Sequence, residues 1–250
     1  MNAAKPFKAI ITDVIDLSPT TKNFRLEIID EKIKKEFNFM PGQFIIIDFK
    51  VKDEDGKEKF VKRSFSIASS PEDKGYIDLC IKLTLDGKIT PILFQKEIGT
   101  VLDCSGAYGN FFYQHSEGRQ VIFVAGGTGI APIRSMIRHF IKRKNDSSNS
   151  FVTLFFSFRG SKQFLYKKEL EDYENKHTNK FKIITSNTDM NEKKWKGLYG
   201  RMQEHLPVFI NNCDNKDVYI CGPPEFVTEI ENKLIYLGFT KNQIKKEVWD

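Results

Sequence analysis

The chain has 250 residues, of which 40% are hydrophobic and 29% charged, and its formal net charge is +6. This length predicts one large domain or two modest ones, and the composition excludes wholesale disorder. No apolar run approaches the roughly 20 residues that a membrane-spanning helix needs. The first eleven residues also lack the apolar segment of a secretory signal. We therefore expect a cytoplasmic globular protein without a membrane span.

The four cysteines and four histidines are scattered along the chain. No two cysteines have the Cys-x-x-Cys spacing of a zinc or iron–sulfur site, so the sequence indicates no metal centre. Because the cysteines lie mostly in apolar runs, we expect buried, reduced thiols. The lysines form short, dispersed clusters, which favours solvated faces, or attraction to an acidic partner or anionic cofactor, over nucleic-acid binding.

The first half of the chain consists of short β-branched and aromatic segments separated by turn residues, a pattern typical of strands. Six such strands in about a hundred residues predict an antiparallel barrel or sandwich. The predicted strands are residues 8–17, 21–28, 43–50, 63–68, 76–83 and 100–105. One helix is predicted here, at residues 91–96, with Thr90 as its N-cap.

The second half alternates buried strands with amphipathic helices, which predicts a parallel sheet covered by helices on both faces. The predicted strands are 121–125, 151–157, 181–185, 218–221 and a final strand near 246–250. The predicted helices are 132–144, 164–175 and 224–237, the last ending before Gly238, and a polar linker covers 145–150. We therefore predict two domains, at residues 1–116 and 117–250.

A glycine-rich turn follows the first strand of the second half, at residues 125–132 (Ala-Gly-Gly-Thr-Gly-Ile-Ala-Pro). Glycines allow backbone amides to approach a phosphate closely, and the N-terminus of the next helix attracts negative charge. This arrangement is typical of a dinucleotide site, although a tight strand-to-helix connection would use the same residues. The turn also departs from the Gly-x-Gly-x-x-Gly fingerprint, because Ala131 and Pro132 occupy its last place.

A second cluster occupies residues 63–71 (Arg-Ser-Phe-Ser-Ile-Ala-Ser-Ser-Pro). Strand alternation puts Arg63 and Phe65 on one face and Ser66 on the other, unless the strand bends. A guanidinium suits a phosphate, and an aromatic ring stacks on a flat heterocycle. Taken alone, the cluster is equally typical of a barrel strand with a core phenylalanine and a surface arginine.

In their order and spacing, these two clusters and three further segments resemble the ferredoxin–NADP reductase superfamily over almost the whole chain. Residues 63–66 stand at its Arg-x-Tyr-Ser flavin motif. Residues 87–90 (Gly-Lys-Ile-Thr) match its Gly-x-x-Ser/Thr turn at a helix start, and residues 106–111 match its Gly-Pro-x-Gly-x-Phe segment. Residues 127–132 match the pyrophosphate loop for the pyridine nucleotide, and 221–224 (Cys-Gly-Pro-Pro) the Cys-Gly-Pro motif on the nicotinamide side.

The resemblance implies an antiparallel β-barrel FAD-binding domain followed by an α/β parallel-sheet NAD(P)H-binding domain. The residues that it implies in FAD binding are Arg63, Ser64, Phe65, Ser66, Gly87, Lys88, Ile89 and Thr90. Those that it implies on the nucleotide side are Gly127, Thr128, Gly129, Pro132, Arg159, Cys221, Gly222 and Pro223.

The resemblance also implies roles in hydride transfer. Arg63 would neutralise the FAD pyrophosphate, Phe65 would flank the flavin, and Ser66 would hydrogen-bond near flavin N5. Cys221 would lie beside nicotinamide C4, and Glu247 would complete a polar network with Ser66 and Cys221. The alternatives are a core cysteine and a surface glutamate.

Three departures from the family pattern matter. Phe65 replaces the usual tyrosine, as in flavin reductases that hold flavin loosely, and Ala107 replaces the proline of the Gly-Pro-x-Gly segment. Asn187 falls where NADPH-specific members often carry an arginine. Because Asn187 supplies no charge for a 2′-phosphate, NADH is favoured, although Arg159 and Arg201 could compensate.

The resemblance implies an FAD-containing NAD(P)H oxidoreductase that passes electrons to a separate acceptor. The sequence has no Cys-x4-Cys-x2-Cys run for an iron–sulfur cluster, and a small acidic carrier, ferredoxin or flavodoxin, suits the charge of +6. One alternative is a free-flavin reductase that uses flavin as substrate. A second is an electron-transfer or regulatory subunit of a larger redox complex, which the absence of cysteines after Cys221 disfavours.

The last residues, 246–250 (Lys-Glu-Val-Trp-Asp), alternate so that Glu247 and Trp249 share a face of the final strand. In many members of the superfamily a terminal aromatic covers the flavin face that the nicotinamide must reach. The resemblance therefore implies that Trp249 contacts the cofactor. The alternatives are an indole packed on the domain surface or against the FAD adenine.

Overall fold

The computed structural model describes residues 6–52, 55–114, 118–143 and 150–249. The chain divides into two compact units. Unit 1 contains the chain up to Phe112 together with Arg134–His139, and unit 2 contains Tyr113–Ile133 and the chain from Phe140 onward. The predicted domain boundary at 116/117 and most of the predicted linker, residues 145–149, lie outside the described residues.

Unit 1 is built on a six-stranded antiparallel sheet with the order β4-β3-β6-β1-β2-β5. Its strands are β1 (Pro6–Ser18), β2 (Thr21–Ile28), β3 (Phe44–Lys52), β4 (Glu58–Ser66), β5 (Ile77–Lys82) and β6 (Val101–Tyr108). The two edges of the sheet meet where Ile67 bridges to Leu79, and the Ala68 N–H donates to the Asp78 carbonyl at 2.8 Å. The predicted antiparallel barrel is thereby confirmed.

Burial in unit 1 follows the two-residue period of its strands, since alternate side chains point into the barrel. Along β3, for example, Ile45, Ile47, Phe49 and Val51 are buried while the residues between them are less so. β4 begins five residues before the predicted strand. Its added residues, 58–62, are mostly charged and exposed, so they show no apolar alternation, and pairing with β3 holds them in place.

Two short helices, α1 (Glu31–Glu36) and α2 (Thr90–Phe94), accompany the barrel. α1 was not predicted; its N-cap is Asp30, whose carboxylate accepts from the Ile33 N–H at 2.8 Å. The prediction of Thr90 as N-cap of α2 is wrong, because the cap residue is Ile89. The Thr90 hydroxyl is instead engaged in the preceding turn, where it accepts from the Thr84 N–H at 2.9 Å.

Unit 2 is built on a six-stranded sheet in which all neighbouring strands are parallel, as predicted. Its strands are β7 (Gln120–Gly126), β8 (Val152–Phe158), β9 (Phe181–Asn187), β10 (Leu198–Tyr199), β11 (Lys216–Gly222) and β12 (Ile244–Val248), in the order β10-β9-β8-β7-β11-β12. The chain starts in the middle at β7, runs outward through β8 and β9, and returns to the other side of β7 with β11. The strand order therefore reverses between β7 and β11, where ligands bind in doubly wound sheets.

The helices of this half are α3 (Ile130–Lys142), α4 (Lys167–Lys176), α5 (Met202–Phe209) and α6 (Pro224–Tyr236). α3 begins two residues before its predicted start, so Pro132 lies in its first turn, where a missing N–H costs nothing. α5 was not predicted, because Pro207 lies inside it and only Met202 and Leu206 provide a buried stripe. Among the described residues, no helix is long and apolar enough to cross a membrane.

The cysteines are free thiols. Cys80, Cys104 and Cys221 are buried, as predicted, whereas Cys213 is half-buried. Burial raises the pKa of Cys104 to about 12, with the charges of Asp103 and Asp48 adding to the shift, so this thiol stays protonated.

Candidate cofactor-binding sites

The glycine-rich turn of unit 2 lies at the point where the strand order reverses. After β7, residues Gly127–Gly129 form a 3₁₀ turn that leads directly into α3. Gly127 has a φ of +54°, and a Cβ added there would meet no atom within 4 Å. The backbone of the turn therefore faces open space that a ligand can enter, in a conformation that favours glycine.

Gly129 is required for a different reason. A Cβ at this position would lie 2.2 Å from the Cys221 carbonyl oxygen and 2.9 Å from the Gly222 nitrogen. The glycine turn after β7 and the Cys-Gly-Pro-Pro turn after β11 thus pack backbone against backbone. The fold brings together two predicted motifs that are 92 positions apart in the chain.

The first amides of α3 complete this turn. Gly129 is the N-cap of α3, and no side chain among the described residues caps it. The Ile130 N–H donates within the turn, to the Gly127 and Thr128 carbonyls, and Pro132 has no N–H. The N-terminus of a 13-residue helix nevertheless attracts an anion such as a pyrophosphate, because the helix dipole places positive partial charge there. This helix end and the open space at Gly127 fit the nucleotide pyrophosphate that the sequence predicts there.

Cys221 lies near the end of β11, between β7 and β12. It pairs in register with Ala125 on one side and with Glu247 on the other. The side chain is fully buried, and burial raises its pKa well above the usual value, with the Glu247 charge as a second cause. Cys221 is therefore a neutral thiol, and a role as thiolate nucleophile does not fit its surroundings.

The turn that follows Cys221 leads into α6. Pro223 is the N-cap of that helix. Gly222 and Gly126 both leave room for the Phe226 ring, since a Cβ on either would lie under 3.0 Å from it. The two glycine-containing turns therefore share one aromatic side chain.

The C-terminal strand differs slightly from its prediction. β12 ends at Val248, so Trp249 follows the strand and does not continue its alternation. The Trp249 N–H donates to the Gly222 carbonyl at 3.4 Å, which holds the tryptophan beside the Cys-Gly-Pro-Pro turn. Its indole Nε1 is buried and has no hydrogen-bond partner among the described residues. A buried donor without a partner is unfavourable, so this position fits a site that a ligand completes.

A cleft of about 770 Å³ opens beyond the carboxyl ends of β8, β9 and β11. Its lining includes two arginines, Arg159 and Arg201, and four carboxylates, Asp189, Glu204, Glu225 and Glu229. Arg159 is exposed and follows directly after β8.

Two of the cleft's carboxylates bind Arg201. Its Nη1 donates to Glu225 at 3.2 Å and to Glu229 at 2.6 Å. Gln203 also donates to Glu229, at 2.7 Å. Arg201, which the sequence offers as a compensating positive charge, is therefore already held by two carboxylates.

Asn187 does not line this cleft. It is fully buried, and its carboxamide oxygen accepts from the Gly160 N–H at 2.8 Å and the Asp189 N–H at 2.9 Å. Its Nδ2 donates to Glu192 at 2.7 Å. Hydrogen bonds from Ser161 hold the pKa of Glu192 below its usual value. Asn187 thus fixes the turns after β8 and β9.

On the flavin side, the strand register supports the predicted alternation. β3 and β4 pair without a bulge, with Phe65 opposite Ile45 and Ser66 opposite Phe44. Arg63 and Phe65 therefore share one face, and Ser66 lies on the other. The Phe65 ring meets Phe49 edge-on, with centroids 6.4 Å apart, so the interpretation as a core phenylalanine is partly correct.

Arg63 is exposed, and its one hydrogen bond among the described residues goes to the neighbouring Lys62 carbonyl at 3.2 Å. Ser64 is also exposed, whereas Ser66 is half-buried and already has an interaction partner. The Arg63 guanidinium is thus available to an anionic ligand. This availability fits the pyrophosphate that the flavin motif predicts.

The other two flavin-side segments lie at the ends of regular elements: residues 87–90 lead into α2, and residues 106–111 begin in the last part of β6. In residues 87–90, the Gly87 N–H donates to the Thr84 carbonyl at 2.9 Å, Ile89 is buried and Lys88 is exposed. In residues 106–111, Ala107 packs against the barrel core without the usual proline. Gly109 has a φ of +104°, and its carbonyl accepts from Gln43 at 3.0 Å.

An ion-pair cluster in unit 1 supports the segment that follows the predicted flavin motif, and no pattern in the sequence indicates this cluster. Asp78, only 1% exposed, accepts from Arg25 at 2.8 and 3.1 Å and from Arg134 at 3.3 Å. Arg134 also donates to the Ala68 carbonyl at 2.8 Å, and the Asp78 N–H donates to Ser69 at 3.1 Å. These bonds fix the segment that directly follows Ser66.

Further polar contacts continue the cluster along the Arg134–His139 stretch. Arg138 donates to Asp73 at 2.9 Å, and His139 lies 2.7 Å from Glu72. Burial raises the Glu72 pKa, but the Ser70 hydrogen bond and the His139 charge outweigh it, so the pKa is lowered. The partners in the Arg138–Asp73 and His139–Glu72 pairs are 65 and 67 residues apart in sequence, so no local pattern indicates these pairs.

Comparison with known proteins assigns the two units separately. Residues 8–113 match the family model of the oxidoreductase FAD-binding domain, and residues 123–232 that of the oxidoreductase NAD-binding domain. Two relatives are each 30% identical. The phenol hydroxylase P5 protein of Acinetobacter pittii matches over 96% of this chain and 65% of its own length. The sulfhydrogenase 1 subunit gamma of Pyrococcus furiosus matches over 94% and 76%.

Solved structures show the same fold. The cytochrome b5 reductase domain of Ulva prolifera nitrate reductase superimposes with a TM-score of 0.84, at 22% identity, over 97% of both chains. A ferredoxin NADP+ reductase from Neisseria gonorrhoeae with bound FAD and NADP superimposes with a TM-score of 0.78, at 21% identity, over 98% of this chain and 99% of that one.

Proposed function

Since the chain belongs to the ferredoxin–NADP reductase family, we propose that it passes electrons from a nicotinamide nucleotide, through FAD, to a separate carrier protein. The observation that best supports this function is the packing of Gly129 on Cys221 where the strand order reverses. It joins the glycine-rich turn after β7 to the Cys-Gly-Pro-Pro turn, and these are the two segments that the proposal assigns to the nucleotide. FAD, when bound, supplies the redox chemistry, since a flavin accepts two electrons and can release them one at a time.

The residues of unit 1 bind and orient the flavin in this proposal. Arg63 neutralises the FAD pyrophosphate, and Thr90 at the start of α2 contributes to binding the same group. Phe65 provides an apolar ring beside the flavin, and Ser66 donates a hydrogen bond near N5. Because Phe65 lacks a hydroxyl, the flavin has one polar contact fewer than with a tyrosine.

The residues of unit 2 bind the nucleotide. Gly127, Thr128 and the N-terminus of α3 hold its pyrophosphate. Cys221 and Glu247 position the nicotinamide, and the neutral Cys221 thiol does so without introducing a charge. The contribution of the protein is therefore alignment, which is worth several orders of magnitude in rate for a well-positioned pair of reactants.

The electron acceptor proposed here is a small acidic carrier such as ferredoxin or flavodoxin. The formal charge of +6 supports this choice, since opposite charge accelerates encounter between proteins. A second candidate function is that of an electron-transfer subunit in a larger redox complex. The similarity to the sulfhydrogenase 1 subunit gamma favours it, and co-purification of the chain with further subunits from its source would support it.

A third candidate function, free-flavin reduction, follows from Phe65, since a flavin held by fewer contacts can act as substrate. Desalting the purified protein tests it directly. A yellow protein with one FAD per chain supports a bound prosthetic group, whereas a colourless protein that reduces added flavin supports the free-flavin reductase.

The proposed function is tested by Arg63→Ala, followed by anaerobic titration of the flavin with NADH and NADPH. Loss of a charge-assisted hydrogen bond costs about 1.5–3 kcal/mol, so FAD should bind roughly 10- to 100-fold more weakly. Lys59→Ala removes another exposed cation from the same face of β4 and should leave FAD binding unchanged. Equal FAD affinity in the Arg63 variant and the wild type would contradict the assignment of the flavin motif.

A further inference from the structure

The cleft at the carboxyl ends of β8, β9 and β11 carries more negative than positive charge. Its two arginines face four carboxylates, a formal charge of −2. We propose that Glu225 and Glu229 make the protein selective for NADH, because they hold Arg201 away from the 2′-phosphate that distinguishes NADPH. The proposal rests on the nucleotide site of the proposed function and identifies the residues that choose between the two nucleotides.

The cleft lies where the adenosine end of a dinucleotide belongs. The pyrophosphate loop follows β7, and in doubly wound sheets residues just beyond the second strand recognise the adenosine ribose. In unit 2 the second strand is β8, and Arg159 follows it directly in the cleft lining. The walls beyond it come from the turn after β9 and from the first turns of α5 and α6.

A 2′-phosphate needs unpaired positive charge, and one of the cleft's two arginines is already paired with carboxylates. The group carries close to two negative charges at neutral pH and is best bound by paired cations. Asn187 is buried and already hydrogen-bonded, so it contributes nothing. Arg201 donates to Glu225 and Glu229 from a single nitrogen. Of the two arginines in the cleft, Arg159 is the one for which the described residues show no carboxylate partner.

The same carboxylates suit a free 2′-hydroxyl. A ribose hydroxyl is neutral and can donate a hydrogen bond to a carboxylate, whereas a phosphate has only acceptor oxygens and is repelled. Glu225 is 75% exposed and Glu229 34% exposed, so both can face a ligand. Selectivity then arises mainly from repulsion of the phosphate, with a smaller contribution from the hydroxyl.

Binding of two adenosine fragments to the flavin-loaded full chain tests the proposal by calorimetry. The fragments are 5′-AMP and adenosine 2′,5′-bisphosphate, which differ only in the 2′-phosphate. The wild type should bind 5′-AMP roughly tenfold more tightly than the bisphosphate. In the double variant Glu225→Gln/Glu229→Gln, the bisphosphate should bind about tenfold more tightly than to the wild type, while 5′-AMP changes less than about twofold.

Two further variants make the test specific. Glu231→Gln removes a carboxylate from the same helix, but that residue pairs with Lys246 outside the cleft lining, so the ratio of the two affinities should stay at the wild-type value. Adding Arg201→Met to the double variant should abolish the gain in bisphosphate binding. If the gain persists without Arg201, the carboxylates do not act through that residue, and the proposal is wrong.

The outcomes separate this proposal from the proposed function. If the wild type binds the bisphosphate as tightly as 5′-AMP, the nucleotide site stands and the selectivity proposal is overturned. If neither fragment binds the wild type or any variant, the nucleotide site itself is wrong, and both proposals fail.

Discussion

The two units hold their chemistry-bearing segments by different physical means. In unit 2, the glycine-rich turn after β7 is fixed by backbone packed on backbone, where Gly129 meets the carbonyl of Cys221. In unit 1, the segment after the flavin motif is fixed by side chains, through the ion pairs of Asp78 with Arg25 and Arg134. One arrangement depends on the absence of a side chain. The other depends on charges from two strands and a helix that are distant in sequence.

This difference determines what can be predicted from sequence. A backbone contact that excludes every Cβ requires glycine, so it leaves a visible pattern of glycines between a strand and a helix. A buried ion pair leaves no comparable pattern, because each partner alone looks like an ordinary charged residue on a strand or helix. The glycine-rich turn after β7 is accordingly evident from the sequence. The ion pairs that support the segment after residues 63–66 are not.

The largest expected effect is that of Gly129→Ala, which breaks the backbone contact in unit 2. The new Cβ would lie 2.2 Å from a carbonyl oxygen that is part of β11, so no flexible side chain can yield. We expect a loss of about 4 kcal/mol or more in the free energy of unfolding, measured by urea denaturation. Calorimetry should also detect no binding of NADH to the folded fraction.

Gly127→Ala is the matched control for this variant. Gly127 has a positive φ but open space around its Cβ position, so alanine there introduces strain of about 1–2 kcal/mol and no clash. Equal destabilisation by the two variants would mean that backbone conformation, and not the contact with Cys221, explains both glycines.

The next effect is that of Asp78→Ala, which breaks the ion pairs in unit 1. It leaves Arg134, whose side chain is 6% exposed, without its buried carboxylate, and such a loss costs about 3–5 kcal/mol. We expect that decrease in the free energy of unfolding, together with weaker FAD retention through dialysis. Asp103→Ala, which breaks the exposed pair with Lys8, should cost under about 1 kcal/mol. Similar costs for the two variants would contradict the role assigned to burial.

The secondary structure shows the same difference: elements with a local sequence pattern are predicted, and elements that depend on distant contacts are not. Most strands of both sheets are close to their predicted positions because their apolar patterns are local, whereas the two-residue β10 was not predicted and β4 begins five residues early. α5 was not predicted because Pro207 interrupts its helical pattern of apolar residues. The burial of Met202 and Leu206 stabilises this helix. Thr90 has the side chain of a good N-cap, but its hydroxyl hydrogen-bonds in the preceding turn. In the cleft, the glutamates that hold Arg201 lie on a helix 24 and 28 positions further along the chain.

A smaller effect is expected for Cys221→Ala, which tests positioning within unit 2. Cofactor content should be unchanged, but flavin reduction by NADH, measured by stopped flow, should slow by about a hundredfold because the nicotinamide loses its alignment. Because burial raises the Cys221 pKa well above its usual value, the thiol is protonated on both sides of neutrality. The slowing should therefore be the same at pH 6 and pH 8. The control is Cys213→Ala, which removes a half-buried thiol. In this variant NADH should reduce the flavin at the wild-type rate.

The smallest expected effect is that of removing Trp249 and Asp250. The Trp249 N–H is bonded to the Gly222 carbonyl, and its indole donor is buried without a partner among the described residues. If the ring occupies the place of the nicotinamide, only the fraction of molecules with the ring displaced can bind nucleotide, so the apparent affinity is lowered by that fraction. Deletion should then tighten the binding of NADH and NADPH by a similar factor of a few-fold, since the ring competes with the nicotinamide half, which the two nucleotides share.

Removal of Asp250 alone is the control and should leave both affinities unchanged. If the deletion instead releases FAD while nucleotide affinity stays the same, Trp249 contacts the flavin nucleotide, and competition with the nicotinamide is excluded.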